Sequence, residues 1–296
     1  MQHTPGSQTD RPSILVGVSA KMYLGYRDSL DWLERLRLEV DARPALAAGR
    51  VVPFVIPSFP VLPAAARLVA GTPLLLGAQN CGWADGPWTG EVAPSMLAEL
   101  GVRLVEIGHA ERRRHLGEDD AMITLKTRAA EDAGLTPLLC VGESGRGEPD
   151  AAADQVYRQI ASAVDGDWNR AGRLVVAYEP VWAIGAAEPA DAGYVSDVVR
   201  GLRSRLAAAG VPELPIIYGG SAKPGLLPAL EGVSGLFLGR FAHDPANFGR
   251  VLDEALLLGE RDAGPGPQGT REGRTCSVLA ASNGHDAEVS LGYRQD

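Results

Sequence analysis

Lys21, His109 and Glu179 each stand directly behind a short apolar run, in the stretches VSAK, GHAE and YEPVWAIG. A carboxylate, an imidazole and an ammonium ion are the groups that proton abstraction beside a carbonyl needs: a base, a carbonyl polariser and a counter-charge for the enediolate. Taken singly, each has an ordinary explanation. A strand-end histidine is more often a satisfied structural group, a lone glutamate a salt-bridged rim residue, and Lys21 a surface lysine. What separates them from that background is that all three would point into one mouth. Gly219-Gly220-Ser221 and Gly239 close two further runs, and glycine lets backbone N–H groups approach an anion closely. Base constellation and glycines together imply a small phosphorylated carbonyl substrate.

Such a mouth requires strands that all end on the same side. From Pro12 onward, apolar runs at residues 14–18, 51–56, 74–78, 104–107, 137–141, 174–178, 216–218 and 236–238 alternate with longer segments of helical period. Each run is nearly all apolar, as a strand covered on both faces must be, and parallel strands need crossovers between them. The last helix is the clearest. Asp244 is its expected N-cap and Pro245 its first residue; Phe248, Val251, Leu252, Ala255 and Leu256 form its stripe, and Gly259 is its expected stop. Leu30, Leu33, Leu36 and Val40 make a similar stripe, and a helix from Asp119 should close at Gly134. Eight repeats over residues 13–259 predict a single-domain α/β protein, a (β/α)8 barrel, whose usual length is about 250 residues. A doubly wound sheet explains the alternation too, but no G-x-G-x-x-G follows the first run, which continues GVSAKMYLG. Residues 1–12 and 260–296 read as disordered extensions, the latter rich in Gly, Ser and charge.

Composition narrows the partners. With 28 Lys plus Arg against 37 Asp plus Glu, the net charge of −9 disfavours nucleic acid and anionic membrane. No apolar run approaches the roughly 18 residues that span a bilayer, and the start MQHTPGSQTDRP lacks the order of a signal peptide, so the expected location is cytoplasmic. Cys81, Cys140 and Cys276 match neither a disulfide framework nor a metal site, and no metal or cofactor is expected. His109-Ala110-Glu111 fits the H-x-E of zinc deaminases but lacks a P-C-x-x-C partner, and no Walker A loop occurs.

Longer motifs carry a resemblance. KM at 21–22, GAQN at 77–80, WTGEVAP at 88–94, IGHAERR at 107–113, AGLTPLLCVGE at 133–143, AYEPVWAIG at 177–185 and IIYGGS at 216–221 make the sequence similar to the triosephosphate isomerase family across the whole barrel. The resemblance implies that Glu179 is the base, that neutral His109 polarises the carbonyl and shuttles protons on the enediolate, and that Lys21 stabilises the oxyanion. It further implies that Glu111 orients Lys21, that Gly185, Ser221 and Gly239 hold the phosphate, and that residues 180–190 form a lid that protects the intermediate. Thr89, on the loop after the third strand, would enter a partner subunit, so a homodimer is expected.

The departures bear on the substrate. The family has Asn two residues before the lysine, where this chain has Ser19. The Gly-Gly of the eighth strand is Gly239-Arg240, Ser after the histidine is Ala110, and the lid's TGKTA is Ala186-Ala187-Glu188-Pro189-Ala190. Ser19 gives room beside the carbonyl. Arg240 either grips the phosphate or points to solvent. Ser19 and Arg240 resemble a diverged branch that interconverts L-erythrulose 1-phosphate and D-erythrulose 4-phosphate in tetritol breakdown, which is the leading expectation. The alternatives are an ordinary triosephosphate isomerase of glycolysis and gluconeogenesis and, more remotely, a non-catalytic sugar-phosphate sensor.

Overall fold

A computed structural model describes residues 13–186, 188–211 and 214–261. Eight strands follow one another as β1 (Ile14–Ser19), β2 (Val51–Ile56), β3 (Leu75–Ala78), β4 (Leu104–Ile107), β5 (Thr136–Val141), β6 (Val175–Tyr178), β7 (Ile216–Gly219) and β8 (Gly235–Leu238). All pair in parallel with their sequence neighbours, and β8 closes on β1 through the register Val16↔Leu236 and Val18↔Leu238. The eight apolar runs are these strands to within one residue at an end, and the closed sheet excludes the doubly wound alternative.

The helices are α1 (Tyr26–Asp41), α2 (Leu62–Val69), α3 (Pro94–Glu99), α4 (Ala110–Leu116), α5 (Asp120–Asp132), α6 (Pro149–Ala163), α7 (Trp168–Ala171), α8 (Ala192–Ala208) and α9 (Pro245–Arg261). Asp244, the expected N-cap of α9, accepts from the Ala246 N–H at 3.3 Å, and Asp119 caps α5 by accepting from the Met122 N–H at 2.8 Å. Between β7 and β8 the described chain makes only a short turn, Leu227–Ala229.

One expected boundary is corrected. Helix α9 does not stop at Gly259 but runs through it to Arg261. A mid-helix glycine costs only about 1 kcal/mol, and here its carbonyl is met by Arg50 Nη2 at 3.2 Å. Residues 260 and 261 are therefore helical. The rest of the expected extensions, 1–12 and 262–296, lies outside the described residues.

Two apolar layers divide the core. Leu15, Val52, Phe54, Ile56, Leu104, Leu138, Cys140, Val175, Ala177, Ile217 and Phe237 fill the barrel lumen, while a larger cluster lies between strands and helices. The Phe54 ring crosses the lumen above Gly17, where a Cβ would come within 1.9 Å of it, and stacks on Phe237 with centroids 5.8 Å apart. This plug of buried rings floors the mouth above it.

Candidate active site

Side chains alternate along a strand, so the lumen residues dictate what the mouth contains. Two positions beyond Leu104, Ala177, Ile217 and Phe237 come Glu106, Glu179, Gly219 and Gly239, and two beyond Gly17 comes Ser19. All nine site residues expected from the sequence, Ser19, Lys21, His109, Glu111, Glu179, Gly185, Ser221, Gly239 and Arg240, line one cavity of about 760 Å³.

Glu179 is buried, and its backbone N–H extends the ladder to the Val141 carbonyl at 2.8 Å. Flanking glycines clear its place. A Cβ on Gly219 would lie 2.4 Å from Glu179 Oε1, and one on Gly142 would lie 1.9 Å from the Glu179 carbonyl oxygen. Gly219, grouped with the phosphate-binding glycines in the sequence, thus makes room for the Glu179 carboxylate by having no side chain.

His109 follows Gly108, whose φ of 73° reverses the chain, and becomes the N-cap of α4. Its Nδ1 accepts from the Glu111 N–H at 3.2 Å. A ring nitrogen that accepts carries no proton, so this bond assigns the proton of the neutral ring to Nε2. Nε2 lies 3.4 Å from Glu179 Oε2 and points a donor at the cavity.

Lys21 has φ of 48°, a left-handed conformation that side chains disfavour. Its carbonyl is held by Ser58 Oγ at 2.8 Å and Gln79 Nε2 at 2.7 Å, and its Nζ reaches Glu111 Oε1 at 2.6 Å. Burial pulls the lysine pKa down, but the Glu111 hydrogen bond and the charges of Glu111, Glu179 and Glu106 outweigh it and hold the ammonium above its usual range. Burial likewise pushes Glu111 up, and its contact with Lys21 reverses this and lowers it.

The lid region is tied at several points. Buried Glu143 accepts from Tyr178 Oη at 3.1 Å, Trp182 Nε1 at 2.8 Å and Tyr194 Oη at 2.9 Å. Burial and this carboxylate push the Tyr194 phenol up to about 12, so it remains a donor. Beyond, Ser221 Oγ donates to the Ala186 carbonyl at 2.5 Å, Lys223 pairs with Glu188 at 2.7 Å, and the Ala190 N–H donates to Tyr218 Oη at 3.1 Å. The Glu188 that replaces the family's lid lysine thus finds a cation on the facing loop.

At the opposite rim Arg240 does not swing away from the mouth. Its guanidinium lies 5.6 Å from the Tyr23 ring centroid, and both residues line the cavity. Lys223 and Tyr23 went unnoticed in the sequence, since both lie past the strand ends searched there. Glu106 went unnoticed too, although a carboxylate within the apolar run LVEI is itself a signal. Thr89 is exposed on the loop after β3, which is braced by Trp83 against Trp88 with ring centroids 4.8 Å apart.

With this geometry, comparison with known proteins is specific. The triosephosphate isomerase family profile matches residues 14–255. "L-erythrulose-1-phosphate isomerase" of Pectobacterium atrosepticum is 49% identical over 250 residues, spanning 83% of this chain and 96% of that protein. "Triosephosphate isomerase" of a Synechococcus strain is 35% identical over 253 residues, 83% of this chain and 98% of that one. The crystal structure of triosephosphate isomerase from Bartonella henselae superposes with a TM-score of 0.68 at 28% identity, covering 81% of this chain and 98% of that one.

Proposed function

The chain belongs to the triosephosphate isomerase family, and from that premise we propose that it interconverts L-erythrulose 1-phosphate and D-erythrulose 4-phosphate. The single observation that carries the four-carbon reading is Ser19, a short side chain next to the base-imidazole pair in a cavity of about 760 Å³. The 49% identity to a protein of that name, against 35% to a triosephosphate isomerase, supports it.

The reaction moves two protons, one between carbons and one between oxygens. Glu179 removes the first from the carbon that carries the hydroxyl and hydroxymethyl groups, while His109 Nε2–H donates to the neighbouring carbonyl oxygen. Charge flows onto that oxygen, where the Lys21 ammonium offsets it in a site closed to water. His109 then moves the hydroxyl proton between the two oxygens, and Glu179 returns its proton to the former carbonyl carbon. The ketone has shifted by one carbon with no atom gained or lost. Backbone N–H groups at Gly185, Ser221 and Gly239, with Arg240, hold the phosphate. The closed lid keeps the enediolate from expelling that phosphate.

Residues 13–261 suffice for this chemistry. The exposed loop around Thr89, together with Met22 at 90% exposure, forms the self-association surface of a homodimer. The reading extends to a cytoplasmic location and a place in tetritol breakdown.

The test is an NMR time course in which one sample receives dihydroxyacetone phosphate and D-erythrulose 4-phosphate together. The four-carbon compound is consumed first; faster turnover of the triose phosphate overturns the substrate assignment. In Ser19→Asn the larger side chain refills the space, and the preference shifts toward the triose phosphate by roughly 10- to 200-fold, the discrimination available from one group's worth of pocket shape.

A further inference from the structure

Glu106 has no part in the proton transfers above, yet it is 4% exposed on the barrel lumen, one layer above Leu104. One oxygen, Oε2, accepts from Ser19 Oγ at 3.0 Å. The other, Oε1, lies 3.9 Å from His109 Nε2, beyond hydrogen-bond reach, and among the described residues none donates to it. Beneath it are the apolar lumen residues and the phenylalanine plug; before it is the cavity, which Ser19, Glu106 and Phe237 line together. Oε1 is thus an acceptor that opens onto the cavity, in a side chain whose burial is costly for a carboxylate, and Glu179 adds repulsion. Burial is the largest influence on Glu106 and raises its pKa, and the charge of Glu179 adds to this. His109, the Ser19 hydrogen bond and Lys21 offset the rise only in part.

We propose that Ser19 and Glu106 form the subsite for the substrate's terminal hydroxymethyl group: Ser19 leaves the space, and Glu106 Oε1 accepts the hydroxyl. The placement fits the substrate's chemistry. The extra group branches from the carbon that faces Glu179, so it must enter the mouth beside that base, and at the lumen wall Ser19 and Glu106 stand there. A three-carbon substrate leaves the acceptor unpaired, and a site built to bind a hydroxyl discriminates strongly against an analogue that lacks it. The subsite rests on the four-carbon reading and adds to it a named acceptor.

The experiment measures kcat/KM for both phosphates in wild type, Glu106→Leu and Glu106→Gln. Leucine resembles glutamate in size and joins Leu104 and Leu138 in the lumen, so the barrel tolerates it. The ratio of the two substrates in one sample is also independent of the folded fraction. The four-carbon to three-carbon ratio falls roughly 10- to 100-fold in Glu106→Leu, the worth of a hydrogen bond to a charged acceptor, and glutamine, which keeps an acceptor oxygen, recovers most of it. An unchanged ratio in Glu106→Leu overturns the subsite while leaving the four-carbon reading intact. Equal loss on both substrates in both variants also overturns it, because Glu106 would then serve the His109-Glu179 pair. A wild type that favours the triose phosphate overturns the substrate reading and the subsite with it.

Discussion

Glu179→Gln lowers kcat on either phosphate by roughly 10³- to 10⁴-fold, the upper part of the range that a positioned general base contributes. The amide is nearly the same size and occupies the same slot, cleared by Gly142 and Gly219, but it cannot accept the substrate proton. Glu179→Asp keeps the basicity and withdraws it by one methylene, and a displacement of about 1 Å costs on the order of 10²-fold. The order wild type, Asp, Gln is therefore the expected ranking. KM should change less than kcat, because the phosphate contacts proposed at Gly185, Ser221 and Gly239 do not involve the carboxylate. Proton exchange between substrate and deuterated solvent, followed by NMR, gives a direct readout and falls in step with kcat. Glutamine retaining near-wild-type exchange would assign the base to another group, and Glu106 would be the first to examine.

These two carboxylates also mark where the sequence was readable and where it was not. The eight strands stood out because the barrel buries both of their faces, leaving continuous apolar runs, and the start of the last helix stood out because Asp244 carries its own capping chemistry. Glu179, His109 and Lys21 were found by searching only just beyond each run. That rule fails for Glu106, which sits inside β4 and belongs to the site because the lumen register, two residues on from Leu104, brings it to the mouth. The register is a tertiary fact. Sequence alternation alone does not say which face of a doubly buried strand is the lumen. Gly259 failed for a complementary reason: its role as a stop depended on the local chain, whereas Arg50, remote in sequence, meets its carbonyl and lets α9 continue. Gly219 looked like a phosphate glycine until the β6–β7 register, with Tyr178 opposite Tyr218, brought it against the Glu179 side chain.

Lys21→Gly separates chemistry from stability. Removal of the ammonium takes away the charge facing the developing oxyanion, and loss of one such group costs roughly 10² to 10³ in rate. The same change relieves the left-handed φ of 48°, while glycine loses more backbone entropy on folding. These opposing contributions cancel to within about 1 kcal/mol, equivalent to roughly 2–4 °C in a barrel of this size, so thermal melting should hardly move while activity collapses. An enzyme that keeps wild-type kcat/KM would remove Lys21 from the site, and a large drop in Tm would make it a structural residue. The pH profile provides an independent check. Glu111 and its neighbours hold the Lys21 pKa above 10.5 against burial, so the ammonium persists and the wild type shows no alkaline decline from this group up to about pH 10. Glu111→Gln removes the partner that favours the charged form; burial then prevails, the lysine pKa falls, and an alkaline limb moves into the measurable range. The direction is what matters: if the profile shifts to higher pH instead, Glu111 does not support the charge on Lys21.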